Sequence, residues 1–435
     1  DDPAGFVFGD AGDQNVIKTG SYIGHSADFE VNVGFEPQWI MIKAADSTGD
    51  QYGNWAIFDS MRGVVTGGND TALSANLSEQ EGGTYNYAAD FIQFQPTGFK
   101  VKTGSSAVGT NNLKYIFTAI RRSDGYCGKP YGAGEGTSLF AMDTGNSSAT
   151  IPTFDSGFPV DFALIKSPAS PDGWVGCGRL IQGKYLLPNA TNAESTYAPY
   201  AFDSNVGWLS DSAYSSSYQS WMFKRHAGFD VATYTGNGLA GLVVNHSMNK
   251  NPEMIWVKNR STSSTDWMVY HKSLNGGTNP ETHYLKLNEN LAEADYDYFN
   301  DYAPTSTHFK VVNNPHVNDN GDNYIALLFA SVAGVSSVGS YTGNSSGSVS
   351  VTTGFQPRFI LIKNADAAEG WILHDSLRGM GNNNDQRLFL NTTAGQTNSG
   401  AYEYISVSST GFTVTNNGGS VLNGNNQNMI YYAHA

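Results

Sequence analysis

The sequence predicts an all-β protein of four tandem β-sandwich, jelly-roll-like domains of about 100 residues each, behind a short N-terminal arm. Three observations predict it. One unit is written four times along the 435 residues. Each copy carries short apolar or alternating runs bounded by Gly/Asn turns. No long amphipathic stretch with helix caps interrupts them.

The repeat is plainest at the two ends. VGFEPQWIMIK (Val33–Lys43) matches TGFQPRFILIK (Thr353–Lys363), and NWAIFDSMRG (Asn54–Gly63) matches GWILHDSLRG (Gly370–Gly379). Two copies lie between: SGFPVDFALIK (Ser156–Lys166) with GWVGCGRL, and NKNPEMIWVK (Asn249–Lys258) with DWMVYHKSL. Three landmarks keep one order and nearly one spacing. The opening glycine is Gly24, Gly145, Gly236 and Gly343, in steps of 121, 91 and 107. The lysine closing an apolar strand is Lys43, Lys166, Lys258 and Lys363, in steps of 123, 92 and 105. The following tryptophan is Trp55, Trp174, Trp267 and Trp371, in steps of 119, 93 and 104. Such units are of domain size rather than solenoid size. The expected boundaries are an arm over 1–20 and repeats over 21–122, 126–226, 230–333 and 338–435, the second being the most divergent.

Within a unit, Gln38–Lys43 and Arg358–Lys363 read as buried strands following a Pro. Gly98–Lys102 and Gly411–Thr415 alternate with period two, as a half-buried strand does. A third apolar strand ends each unit except the second, at Leu113–Ile120, Tyr324–Ala330 and Met429–Ala433, and the second unit ends with Ser220–Lys224. Short links near Arg122–Gly136, His226–Asp230 and Ala333–Ser337 predict a rigid rod or cluster rather than loose beads. Trp39, Trp55, Trp267 and Trp371 lie on the repeated strands and are expected to face the core, where Trp→Ala costs about 3–5 kcal/mol. With one core per domain, Trp55→Ala should unfold the first repeat and leave the fourth folded. The competing expectation is an aromatic ligand platform, in which the same change removes binding and spares stability.

Composition excludes several classes. Charged residues are only 14% and aromatics 13%, so the chain has apolar surface to bury and little self-repulsion. A net charge of −15 opposes nucleic-acid binding and contact with an anionic membrane. The longest apolar stretch, Ile325–Val335, is about half of what a spanning helix needs. Cys127 and Cys177 cannot close a zinc site alone; one bridge or two buried thiols both fit, and buried thiols are the expectation. The start, Asp1-Asp2-Pro3, fits a leader processed away or not included.

Catalytic signatures are lacking: no HExxH, GxSxG, Walker A or Rossmann fingerprint occurs. Gly132–Gly136 imitates a phosphate cradle but sits at a domain junction and reads as a linker. Asp295 and Asp297 would share one face of a strand, near glycosidase spacing, yet read as a solvated face. Asn318–Asp322 offers oxygen ligands for Ca²⁺ and reads as a hairpin turn. His271 and His374 occupy related places where the first unit has Phe58, which argues for packing. Asp59–Gly63 and Asp375–Gly379 read as structural corners, with Asp pairing to Arg across a turn and Gly at positive φ. The four closing lysines read as structural partners or snorkelling stems. The expectation is therefore no catalytic residue, no metal, no cofactor and no assigned binding residue.

At these motifs the chain resembles a repeat family of unknown function abundant in marine bacteriophage structural proteins, often labelled tail fibre or virion protein. The resemblance is carried by the GF-x-P strand, the W-x-[IV]-[YF] strand and N-x-T-x-A. Lys224–Val231 leading into Thr233–Gly238, Glu253–Lys258 and Ala303–Thr307 carry it further. It runs from about Phe8 to Ala435. The resemblance implies a place, the virion surface, and no catalytic residues. It implies partners among other virion proteins and a host glycan or protein, and a homo-oligomer, with a trimer favoured. The expected function is non-enzymatic: a tail fibre or appendage for host attachment. A capsid decoration protein is the alternative, and a secreted carbohydrate-binding or polysaccharide-degrading protein a more distant one.

Overall fold

A computed structural model describes residues 16–47, 53–81, 90–103, 105, 107–122, 127, 129, 131–132, 134–397 and 402–435. Most of the expected arm (1–15) and part of the first link (123–126) lie outside the described residues.

Each repeat contributes one large antiparallel sheet. In the first, the opening strand Ile17–Ile23, the closing strand Lys114–Arg121, the lysine strand Pro37–Ala44 and the tryptophan strand Ala56–Asp59 lie side by side in that order, with Leu73–Ser74 at the edge. The same order recurs as Phe140–Thr144, Gln219–Phe223, Phe162–Lys166 and Val175–Gly178 in the second repeat. It recurs as Phe229–Thr235, Asn323–Phe329, Met254–Asn259 and Met268–His271 in the third. In the fourth it is Ser336–Thr342, Asn428–His434, Phe359–Asn364 and Ile372–Asp375. Register is kept as well as order: Lys43, Lys258 and Lys363 oppose Ile116, Ile325 and Ile430, and Lys166 opposes Gln219. A smaller sheet covers one face. It contains Phe29–Asn32, Gly98–Val101 and Ile92–Gln95 in the first repeat and Val349–Thr352, Gly411–Val414 and Ile405–Ser408 in the fourth. Among the described residues the single α-helix is Gly419–Asn423. The architecture is all-β and sandwich-like, as the strand pattern predicts.

The opening glycine recurs for a steric reason. A Cβ on Gly24, Gly145, Gly236 or Gly343 would lie 2.1, 2.3, 2.1 or 2.0 Å from a carbonyl oxygen of the loop before the closing strand. No side chain fits there without moving backbone.

Period-two alternation gives every large sheet two apolar faces. The inner one meets the small sheet: Ile40, Ile42, Phe58, Tyr115 and Phe117 join Ile92, Phe99 and Val101 in the first repeat. The outer faces of the second, third and fourth sheets merge into one shared core, including Leu164, Trp174, Trp221, Trp256, Trp267, Leu361, Trp371 and Tyr432. Each repeat keeps a core of its own, as expected, but repeats two to four also share a second one, so their cores are not independent. Trp267 and Trp371 are buried, but in the shared core. Trp39 and Trp55 lie on the outer face of the first sheet, half-buried and outside that repeat's core.

The shared core closes as a ring. Trp174 Nε1 donates to the Phe389 carbonyl (2.9 Å), Trp371 Nε1 to that of Lys286 (2.9 Å), and Trp267 Nε1 to that of Leu187 (3.0 Å). The second repeat thus grips the fourth, the fourth the third, and the third the second. Backbone bonds follow the same circuit: Gln396 N to Pro168 O, Glu194 N to Arg260 O, and Glu293 N to Ala365 O. Each ring tryptophan is held in turn, because its own N–H donates to Asn189, Asn288 or Asn391 Oδ1. Trp371→Ala should cost about 3–5 kcal/mol. Hydrogen exchange should show repeats two to four losing protection together rather than the fourth alone, as a shared core requires.

Candidate functional site

The four closing lysines run along the sheets toward backbone carbonyls. Lys166 Nζ donates to Asp172 O and, across the ring, to Thr393 O (3.1 Å); Lys258 Nζ donates to Thr265 O (2.8 Å) and to Thr191 O (3.4 Å). Lys363 Nζ reaches Ala367 O (3.0 Å), and Lys43 Nζ donates to Gly53 O. Burial holds Lys166, Lys258 and Lys363 down to about 8. They are structural partners, tying loop carbonyls to the sheet.

The two Asp-to-Arg corners have the expected geometry. Arg62 N and Nε donate to Asp59 (2.8 and 2.6 Å), Arg378 N and Nε donate to Asp375 (2.9 and 2.8 Å), and Gly63 and Gly379 have φ of +121° and +91°. Asp375 also accepts from Trp221 Nε1 (2.9 Å) and Gln219 Nε2 (3.2 Å) of the second repeat. That corner is a buried joint of the ring.

The histidines need a correction of register. Strand pairing places His374 opposite Ile360 and His271 opposite Met254, whereas Ile255 faces Tyr270 and Phe359 faces Asp375. His374 therefore corresponds to Phe58 and Tyr270, and His271 to Asp59 and Asp375. They point to opposite faces of their sheets. His271 Nδ1 accepts from Ser273 N (3.1 Å), capping the corner as Asp375 does for Arg378. Burial drives His271 and His434 down to about 3, and His226 and His374 well below their ordinary value.

Other candidates resolve as scaffold. Only Ala294–Asp295 is strand; Asp297 lies beyond it and accepts from Asp301 N (2.9 Å), so the two carboxylates do not share a strand face. Asn318 is buried, accepting from Asn237 N (2.8 Å) and donating to Leu239 O (2.7 Å), and Asp322 accepts from Asn259 and Thr262 (2.8 Å each). Among the described residues no group of three His, Cys, Asp or Glu is placed to hold a metal. Glu135 Oε2 accepts from Gly132 N (2.6 Å), occupying a donor that a phosphate cradle would need. Cys127 and Cys177 are buried free thiols, and burial raises both above their ordinary value.

A concavity between the first and second repeats went unnoticed in the sequence. It is lined by Glu36, Gln38, Met61, Arg122, Asp161, Arg179 and Arg225, among others. Asp161 is fully buried and accepts from Arg122 Nη1 (3.0 Å), Arg179 Nε (3.3 Å) and Arg225 N (2.7 Å). Arg225 clasps Glu36 with two bonds (2.6 and 2.8 Å) and turns its Nε to Asp230. Burial alone would raise the Asp161 carboxyl; Arg122, Arg179 and Arg225 overcome it and hold the group below its ordinary value. Three cations thus meet three anions. The site is a charge-balanced lock and not an acid–base pair poised near neutrality.

A family model described as a domain of unknown function (DUF7483) matches residues 11–124 and 216–435. The unmatched stretch lies almost wholly within the divergent second repeat. No curated protein matches the chain.

Two outcomes follow from this electrostatic arrangement. Asp161→Asn should cost about 3–5 kcal/mol in urea unfolding, because it strands buried guanidinium groups. The buried histidines make the fold acid-labile. Their folded pKa values lie below the unfolded value near 6.5, so the unfolded chain binds more protons as pH falls. Each then removes about 1.4 kcal/mol per pH unit below ~6.5, down to its folded pKa. His374→Phe, which places there the residue type of Phe58, should shift the melting-temperature decline between pH 6.5 and 4 to lower pH and leave melting at pH 7.5 nearly unchanged.

Proposed function

The chain belongs to this family of domains of unknown function, and on that premise we propose that it is a non-enzymatic surface protein of a bacteriophage particle. In this reading it is a tail fibre or appendage that displays its repeats toward a host glycan or protein. Its place is the virion surface and its neighbours are other virion proteins. Its four repeats act as four domains, with the opening strands Ile17–Ile23, Phe229–Thr235 and Ser336–Thr342 moving the expected boundaries a few residues earlier.

One observation carries the reading. The repeated residues are largely committed to scaffold: Trp174, Trp267 and Trp371 to the ring, the closing lysines to loop carbonyls, and Asp59–Arg62 and Asp375–Arg378 to corners. These repeated groups are occupied in the scaffold, which supports a non-enzymatic reading. Exposed tyrosines lie instead in divergent loops, as at Tyr197, Tyr296 and Tyr402. Tyr296 sits within a cluster with Tyr284 and Tyr298, at ring-centroid distances of 6.4 and 4.6 Å. Exposed aromatic rings among polar loops suit weak, wet, multivalent contact.

Purified chain should bind host cells and compete with phage adsorption. Tyr296→Ala should weaken that binding about tenfold, the weight of one anchor worth about 1.4 kcal/mol, without changing melting. Symmetry-resolved imaging of the particle checks the location: a few copies at the tail support a fibre, and a shell-wide copy number would make the protein a capsid decoration. Turnover of a capsular polysaccharide, abolished by Asp295→Asn, would overturn the non-enzymatic reading.

A further inference from the structure

We propose that the outer face of the first repeat's large sheet is a self-association surface, on which three copies of the chain close between molecules the ring that repeats two to four close within one. The same positions exist four times over, and three sets are already engaged. Phe162, Met254 and Phe359 stand where the first repeat has Trp39, and Leu164, Trp256 and Leu361 where it has Met41; all six are buried in the shared core. Trp39, Met41, Trp55 and Ile57 are only half-buried, and Ile17, Ile23 and Ile116 on the same face are 58%, 47% and 38% exposed. An exposed sheet face carrying this many apolar side chains is the mark of a contact surface.

The ring geometry identifies the occupant as further copies of this repeat. Each ring indole donates to the carbonyl two residues before the asparagine that fixes the next repeat's own tryptophan: Leu187 before Asn189, Lys286 before Asn288, Phe389 before Asn391. The first repeat has both halves of this device. Asn76 Oδ1 accepts from Trp55 N at 2.9 Å, against 2.9, 2.9 and 3.0 Å in the others. Ser74, two residues earlier, pairs with Ala56 as Lys286 pairs with Met268 and Phe389 with Ile372. Yet among the described residues the Trp55 indole N–H has no acceptor. Its place in the register points to the Ser74 carbonyl of the next copy.

Among the described residues, the first repeat's attachment to its own chain leaves this face open. The contacts run through Glu36 to Arg225, Met61 to Arg179 and Thr66 to Arg260, on loops at one end of the sheet. The face is also more polar than its siblings. Thr118 replaces Trp221, Leu327 and Tyr432, and Thr19 replaces Met142, Val231 and Val338. That composition suits a surface that meets water before assembly.

Sedimentation velocity and native mass spectrometry of the full chain at micromolar concentration test the proposal. The expected species has three times the chain mass. Ile116→Glu should reduce it to monomer with an unchanged far-UV circular dichroism spectrum, and Thr19→Lys on the same face provides a second disruption should the first fail to fold. Trp55→Phe, which removes one N–H per copy, should weaken assembly at least about tenfold. A monomer or a dimer would overturn the proposal. So would a trimer that persists through both face substitutions, or a face occupied by another macromolecule without self-association.

Discussion

Each large sheet carries apolar side chains on both sides, and its own small sheet can cover only one. The uncovered side sets the terms for the rest of the structure. At about 25 cal/mol for each Å² of apolar surface, covering such a face contributes stability in proportion to its area. Three repeats solve the problem mutually, by turning their open sides to a common centre. Non-directional burial would leave them free to slip, and the three indole-to-carbonyl bonds supply the direction. The asparagines that pin each tryptophan backbone make those bonds reproducible from repeat to repeat.

Charge is handled by the same constraint. With few charged residues in the chain, those taken inside are concentrated at joints. Asp161 and Asp375 each gather donors from distant segments, and Arg260 reaches from the third repeat to Thr66 of the first and Glu194 of the second. Buried pairs of this kind contribute little net stability compared with apolar packing, but a wrong arrangement leaves a bare charge. Their effect is to select one orientation of the repeats. The ring lysines act similarly with neutral partners, since an ammonium donating to two or three carbonyls fixes a loop without needing an anion.

Much of the fold was legible because it is local and repeated. The lysine and tryptophan strands announce themselves by composition, and the opening glycine by its recurrence at a spot where a carbonyl leaves no room for Cβ. The Asp-to-Arg corners were legible for the same reason, spanning three residues. What covers a strand's second face was not. Alternation looks identical at Trp55, which stays half-open, and at Trp371, which is sealed by another repeat. The one-residue confusion of His271 with His374 has a related origin, because both are buried and only the pairing register tells the faces apart. The lock around Asp161 had no sequence signature at all, since its arginines come from positions 122, 179 and 225. Asp70 and Asp385 were missed too. Each accepts three backbone N–H groups and anchors the small sheet, and an Asn-Asp dipeptide in a turn is too common to signal it.

A ring built from one polypeptide escapes a rule that binds rings of identical subunits. In a symmetric assembly any mutation appears at every position around the axis, so a loop cannot change without changing all its counterparts. Here the scaffold positions recur, but Tyr197, Tyr296 and Tyr402 belong to loops that answer to separate codons. The second repeat has used that freedom most, exchanging the Asp-Ser corner for Cys177-Gly178-Arg179 while its Trp174 still grips the neighbour. Covalent fusion thus lets each sector of the rim diversify on its own while the centre is held constant.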